Sequence, residues 1–177
     1  MLRAMAEPGP KSKPTAKKAA AKKATTAKKA TASEKPAATP SARAAALHRQ
    51  AAYHNWDDGV RRLGQILRDP ECDLGTALMI YWMGAPGFDR AFVTVKEAPD
   101  WRRPVTKLLR DLEARILARD FATAGILFNP RFDRTTVNHH GHDWTAEYGK
   151  TEVRRPIPAE LLEPSAPDPE WEARGRA

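Results

Sequence analysis

Three histidines and an aspartate stand close together in the stretch VNHHGHDW, residues 137–144. Imidazole and carboxylate groups are common ligands of transition metals, and two histidines two residues apart can reach one ion if the segment is extended. However, the spacing matches no established zinc signature, and metal sites usually draw their ligands from separate elements. We therefore prefer a polar, histidine-rich loop and keep a metal site as the alternative, with these ligands: His139, His140, His142 and Asp143.

A second concentration of reactive side chains lies in HNWDDGVRRLGQILRDPECDLGTALMIYW, residues 54–82. A cysteine can act as a nucleophile beside a suitable base. The same residue types also begin helices, because a side-chain oxygen can accept a hydrogen bond from a free backbone amide. We predict helix starts and an ordinary thiol, and we keep a reactive site as the alternative. The residues concerned are Asn55, Trp56, Asp57, Asp58, Cys72 and Asp73.

Signatures of catalysis and of cofactor binding are missing from the sequence. It contains no G-x-x-x-x-G-K-[ST] loop for phosphate, no G-x-G-x-x-G turn after a strand and no H-E-x-x-H motif. The single cysteine excludes an internal disulfide framework and suits a reducing compartment. We therefore favour a non-enzymatic protein over an enzyme, and we predict no cofactor.

The apolar pattern that must position these residues is helical. Ser41 is placed to cap a first helix in SARAAALHRQAAYH, and Asn55 or Asp57 a second one that stops before Pro70. Asp73 then precedes a run that is apolar from Leu74 to Met83, so this third helix should be buried on most of its faces.

The next segments are less uniform. FDRAFVTVKEAP suits either a helix or a strand, whereas residues 101–121 predict a long amphipathic helix with Trp101 on its apolar face and an i,i+4 pair of Asp111 with Arg115. GILFNPRFD reads as a short strand or a loop, and IPAELLEP as a closing helical turn. The fold class is therefore mainly α: a compact bundle of about five helices with little or no sheet, plus disordered tails.

The charge of the chain is concentrated at its N-terminus. Residues 1–40 hold ten basic and two acidic residues, a net charge of +8, whereas residues 41–177 hold 20 of each sign. Because its stretch PTAKKAAAKKATTAKKATASEKPAATP, residues 14–40, has no large apolar side chain to form a core, we predict a disordered tail that binds DNA or RNA without sequence preference. It resembles the lysine- and alanine-rich tails of linker histones and bacterial histone-like proteins. Its phosphate-binding residues would be Lys11, Lys13, Lys17, Lys18, Lys22, Lys23, Lys28, Lys29 and Lys35.

The organisation that we predict is a basic tail at residues 1–40, a helical domain at residues 41–163 and a disordered tail at residues 164–177. No apolar run is long enough to cross a bilayer, and the N-terminus lacks the apolar region of a secretory signal. We therefore expect a cytoplasmic protein, associated with the nucleoid if the tail binds DNA there. Met1 and Met5 are both candidates for the start of translation.

Three motifs in the domain resemble a family of small bacterial helical domains of unknown function. They are N-W-D-D-G at residues 55–59, C-D-L-G-T-A-L at residues 72–78 and I-P-A-E-L-L at residues 157–162. The resemblance would cover residues 44–163 and implies a compact, mostly helical fold. It implies no catalytic residues.

Three functions are compatible with these observations. The first is a non-enzymatic interaction domain that a polybasic tail holds on nucleic acid, where the domain meets an unknown protein partner. The second is a stand-alone protein-binding factor of the inhibitor or immunity type, whose tail only solubilises it. The third is a metal-dependent hydrolase that uses the histidine cluster.

Overall fold

A computed structural model describes residues 39–122, 125–136, 139–146, 152–169 and 173. These residues belong to one compact unit, Lys35–Ala177. The predicted disorder of the N-terminal tail, and all nine of its lysines, lie outside the described residues. No helix in the described segments is both long and apolar enough to cross a membrane.

Two helices form the first layer of the domain. Helix α1 spans Ala42–Ala52, and the Ser41 side chain caps it by accepting a hydrogen bond from the Ala44 amide. A 3₁₀ turn, Trp56–Asp58, follows, and helix α2 spans Arg61–Leu67 without a side-chain cap. Asp57 therefore does not cap the second helix, because α2 begins only after the glycine that ends the 3₁₀ turn.

Helix α3, Leu74–Met83, is the centre of the core. Eight of its ten residues are buried, because neighbouring elements pack against it on several sides. Its first turn also contacts a later segment of the chain, where the Leu74 amide donates to the carbonyl of Ala122 at 2.9 Å. This confirms the prediction that the segment is buried on most of its faces.

The ambiguous segment after α3 is neither one helix nor a strand. It contains the four-residue helix α4, Pro86–Asp89, and a 3₁₀ turn at Val95–Glu97. Helix α5, Arg103–Leu117, then packs along α3. Trp101 precedes α5 and is 72% exposed, so it does not continue the buried face of this helix as its spacing predicted.

The chain after α5 is irregular, yet it completes the core. Its described residues contain isolated bridges, the 3₁₀ turn Ala159–Leu162 and helical positions at 169 and 173. Phe128 and Leu161 are fully buried, and the Trp82 indole donates to the carbonyl of Leu161 at 2.9 Å. The described fold is thus five α-helices with almost no strand, which confirms the predicted fold class.

The packed chain continues beyond residue 163, where the sequence placed the start of a disordered tail. The amide of Phe128 donates to the hydroxyl of Ser165 at 2.8 Å. Asp168 is 1% exposed and accepts hydrogen bonds from Asn129 and Arg134. These polar contacts join residues 165–168 to the segment at residues 128–134.

Candidate functional site

Exposed apolar side chains gather on the segment between α3 and α5. Of the six large hydrophobic residues exposed in the described chain, three lie there: Phe88, Val93 and Trp101. The ring centroid of Phe88 is 5.5 Å from that of Phe92 and 6.0 Å from that of Trp101. We call Phe88, Phe92, Val93 and Trp101 the aromatic surface. Clustered exposed aromatic residues are typical of interaction sites rather than of ordinary protein surface.

A buried ion pair holds this surface in place. Asp89 in α4 is 4% exposed and accepts hydrogen bonds from the Arg102 guanidinium at 2.5 Å and from the Thr106 hydroxyl at 2.5 Å. Arg102 also donates to the carbonyls of Gly84 and Ala85, at 2.6 and 3.0 Å. These bonds tie both ends of α4 to the start of α5.

Further arginines fix the backbone of the same segment. Arg110 donates to the carbonyl of Phe92 at 2.7 Å, and Arg154 donates to the Glu97 carboxylate at 2.7 Å. The amides of Arg154 and Arg155 both donate to the carbonyl of Arg90 at 3.0 Å. The aromatic residues are thus displayed on a pre-organised frame, which lowers the entropy lost when such a surface binds a partner.

The charges around the aromatic surface are balanced. This surface is flanked by the segment between α3 and α5, the first residue of α5 and the contacting segment 152–155. Together they carry three exposed cations and three exposed anions: Lys96, Arg103, Arg154, Glu97, Asp100 and Glu152. Two ion pairs join four of them, with Arg103 at 2.6 Å from Asp100 and Arg154 at 2.7 Å from Glu97. A strongly charged partner would therefore gain little at this rim.

A second ionic cluster lies behind the surface, around a cavity of about 10 Å³ that has room for one water molecule. Glu113 is 4% exposed and bonded to the Arg155 guanidinium, and Tyr81 donates to it at 3.4 Å. Burial raises the pKa of Glu113, whereas the charge of Arg110 opposes that shift. This cluster joins α3, α5 and residue 155, so its evident role is to hold the fold together.

The residues of the N-W-D-D-G motif lie in the 3₁₀ turn before α2. The Asn55 side chain accepts from the Asp57 amide at 3.1 Å, whereas Asp57 and Asp58 are exposed. Trp56 is half-buried, and its ring packs over Gly84, where an added Cβ would stand 3.1 Å from the indole. The motif is thus seen to shape a turn and to support the end of α3.

Cys72 and Asp73 are adjacent and buried at the start of α3. The Asp73 carboxylate accepts from the Gly75 amide at 2.7 Å, which is the geometry of a helix cap. Burial raises the pKa of the Cys72 thiol to about 12, although Arg115 opposes the shift. A thiol with this pKa is almost fully protonated at neutral pH, which disfavours nucleophilic catalysis.

The described part of the histidine-rich stretch, residues 139–144, forms a turn of packed rings. The ring of Trp144 lies 4.8 Å from that of His139 and 4.6 Å from that of His142, measured between centroids, whereas His140 lies 6.4 Å from Phe132. Asp143 caps the local turn by accepting from the amide and hydroxyl of Thr145, at 2.8 and 2.6 Å. Within the described residues, no three His, Cys, Asp or Glu side chains are grouped as a metal site requires.

A buried carboxylate organises that turn. Asp133 is fully buried and accepts from the amides of Thr135 and Thr136 and from the Trp144 indole, at 2.8, 3.1 and 3.0 Å. Its negative charge also acts on His48, which bonds Thr76 at 3.1 Å. Burial lowers the pKa of His48, and the charge of Asp133 only partly opposes this effect.

The aromatic surface was missed at the sequence level because Trp101 falls at helical spacing from Val105. One signal pointed the other way: Pro99 and Pro104 flank the tryptophan. A proline at position 104 belongs in the first turn of a helix, so Trp101 had to lie before that helix rather than on its apolar face.

These features define a small helical domain with a rigid, exposed aromatic surface and irregular closing segments. Residues 42–117 match the model of a protein family described as "Domain of unknown function (DUF4274)". The match confirms the resemblance to a small domain family of unknown function and includes the aromatic surface. It ends before residues 157–162, the third motif on which the resemblance rested. No curated protein and no solved structure is significantly similar to the chain.

Proposed function

We propose that this protein is a non-enzymatic interaction protein that keeps a helical domain close to nucleic acid. The lysine-rich tail binds phosphates, and the domain binds a protein partner through its aromatic surface. Holding the domain near DNA or RNA raises its local concentration for a partner that is met there.

The separation of charge along the chain carries the nucleic-acid half of this proposal. The tail has a net charge of +8, and the remaining residues sum to zero. Each lysine that meets a phosphate releases condensed counterions. If about six lysines engage, log K should fall with log salt concentration with a slope near −5, at roughly 0.9 per contact.

The position of Trp101 supports the protein-binding half. Its side chain is 72% exposed beside a buried ion pair that fixes the neighbouring backbone. Tryptophan, arginine and other aromatic residues are the types enriched among the residues that dominate binding energy at protein interfaces. An exposed tryptophan on a mobile loop would be weaker support, because ordering the loop would cost free energy on binding.

The test measures duplex-DNA binding by the full-length protein across a salt series. One variant replaces six lysines by glutamine, and a matched variant replaces the same six by arginine: Lys17, Lys18, Lys22, Lys23, Lys28 and Lys29. A second control removes six exposed cations of the domain by substitution to glutamine: Arg49, Arg61, Arg62, Arg68, Lys96 and Arg119.

Non-specific phosphate binding by the tail predicts that the glutamine variant loses affinity and most of its salt slope. The arginine variant and the domain variant should both retain them. Equal loss in the domain variant would place the nucleic-acid contact on the folded domain. If the unmodified chain does not bind DNA or RNA at moderate salt, the tether is refuted and a stand-alone protein-binding factor becomes the better proposal.

A further inference from the structure

We propose that the partner of the aromatic surface is a second copy of this chain, so that the protein forms a symmetric dimer through Phe88, Val93 and Trp101. This inference rests on the proposed role of that surface in protein binding. It adds the identity of the partner.

The balanced rim is the first argument for a second copy. Asp100 is 89% exposed and Arg103 is 48% exposed at the side chain, and they form a local ion pair. In a symmetric interface the same patch meets itself, so each copy offers an anion and a cation to the other. The ion pair within each copy can therefore be replaced by ion pairs between the two copies, and the net charge of the rim does not change.

The neutrality of the domain is the second argument. Residues 41–177 carry 20 basic and 20 acidic residues, so two domains approach each other without net repulsion. A nucleic-acid surface would instead require an excess of cations around the aromatic rings. An acidic or basic protein partner would likewise require a rim of the opposite sign.

The composition and the fixed backbone of the surface are the third argument. Phe88 is 41% exposed, Val93 50% and Trp101 72%, and Val153, at 48%, belongs to the segment that contacts Arg90. Pre-organised apolar anchors of this kind associate at a small entropic cost. Dimerisation would also place two lysine-rich tails on one particle, which increases avidity for a polyanion without any new type of contact.

The first experiment is sedimentation equilibrium of the nuclease-treated, full-length protein from about 1 to 200 µM, the range in which a modest interface associates. The salt concentration is about 0.5 M, so that tail–phosphate contacts are screened while apolar contacts persist. We expect a monomer–dimer equilibrium. A single monomeric species over the whole range would overturn the proposal.

Two substitutions make this measurement specific. Trp101→Ser should weaken the dimer by at least about tenfold, as expected for a central aromatic anchor. Leu117→Ser is the matched control, because Leu117 is 43% exposed at the opposite end of α5, and its dimer constant should not change. Circular dichroism and urea unfolding establish that both variants fold. A dimer that is insensitive to Trp101→Ser would refute this surface as the interface.

Charge reversal provides a test that does not depend on removing apolar area. Asp100→Arg makes the rim basic and Arg103→Asp makes it acidic, so each variant alone should dimerise more weakly than the unmodified chain. Mixed together, they should form a heterodimer of restored affinity. Absence of this restoration would show that the rim does not meet a second copy.

Failure of this inference is distinguishable from failure of the proposed function. The dimer is measured at high salt without nucleic acid, whereas the tail is tested by DNA binding of lysine variants. A monomer that binds DNA with a steep salt slope would refute the dimer and support the nucleic-acid tether. A dimer that does not bind DNA would support the second copy as partner and refute the tether.

Discussion

The guanidinium of Arg102 lies between the carboxylate of Asp89 and the ring of Phe88. Its Nη2 atom is 2.5 Å from Asp89 Oδ2, and its central carbon lies 5.4 Å from the centroid of the phenyl ring. One cation that is only 11% exposed at its side chain thus neutralises a buried acid, bonds two backbone carbonyls and supports an exposed aromatic residue. The stability of the domain and the shape of its aromatic surface therefore depend on the same side chain.

Removing this cation should destabilise the domain strongly. Arg102→Ala leaves the buried Asp89 carboxylate without its ionic partner, and breaking such a pair from one side costs about 3–5 kcal/mol. Urea unfolding, monitored by circular dichroism, measures this change in the free energy of unfolding. Lys107→Ala, which removes an exposed i,i+4 pair with Asp111 one turn further along α5, should cost less than about 0.5 kcal/mol. Similar costs for both substitutions would contradict the importance of the buried pair.

Two helical glycines should respond to alanine in opposite directions. At Gly75, in the first turn of α3, an added Cβ would overlap the backbone carbonyl of Ile126, so Gly75→Ala should cost about 1–3 kcal/mol or more. At Gly64, within α2, the nearest atom is Arg68 Nη1 at 3.5 Å. Gly64→Ala should therefore stabilise the domain, by about 0.5–1 kcal/mol. Thermal or urea unfolding of both variants decides the matter, and a neutral Gly75→Ala would mean that the chain at Ile126 moves freely.

The thiol of Cys72 should be inert in the folded protein. It is 1% exposed, and its pKa is about 12 because burial disfavours the thiolate. At pH 8 a thiol reagent such as DTNB should react slowly, at a rate limited by opening of the domain, and rapidly in urea. Rapid reaction without denaturant would reveal an accessible thiolate and would reopen the reactive-site interpretation of this residue.

The stability of the domain should fall when the pH drops below the usual pKa of histidine, about 6.5. Burial lowers the pKa of His48 in the folded state, so on acidification the unfolded chain takes up this proton first. The stabilisation is complete above the unfolded pKa and is lost as the pH falls towards the folded one. His48→Gln should remove part of the decline in unfolding free energy between pH 7.5 and 5. Parallel profiles for the two proteins would exclude His48 as the cause.

Features that depend on neighbouring residues were predictable from the sequence. Ser41 and Asp73 are found at helix starts, because a cap needs only an acceptor beside free amides. The run from Leu74 to Met83 is buried because it has no polar face to expose. Long-range polar contacts were not predictable. Asp111 pairs with Lys107 rather than with Arg115, whose guanidinium instead bonds the carbonyl of Leu67 and the carboxylate of Asp120.

The candidate site was harder to predict than the fold. The exposure of Trp101 depends on where α5 begins, and the spacing of apolar residues alone does not determine the first residue of this helix. The partners of Asp89 lie 13 and 17 residues away, and nothing in the local sequence selects them. The metal interpretation of His139–Asp143 had the same weakness, because ligand geometry depends on how the turn folds. In this turn the imidazoles of His139 and His142 pack with Trp144.

The bond between the Trp82 indole and the carbonyl of Leu161 joins residues 79 positions apart. A helical protein whose core closes through such distant contacts should fold more slowly than a bundle of sequential helices. The chain must lose the entropy of closing a long loop before the contact lowers the free energy. During synthesis, the helices between residues 42 and 117 would emerge with one side of α3 still uncovered. The nascent domain would therefore expose this apolar face until the segment near Leu161 leaves the ribosome.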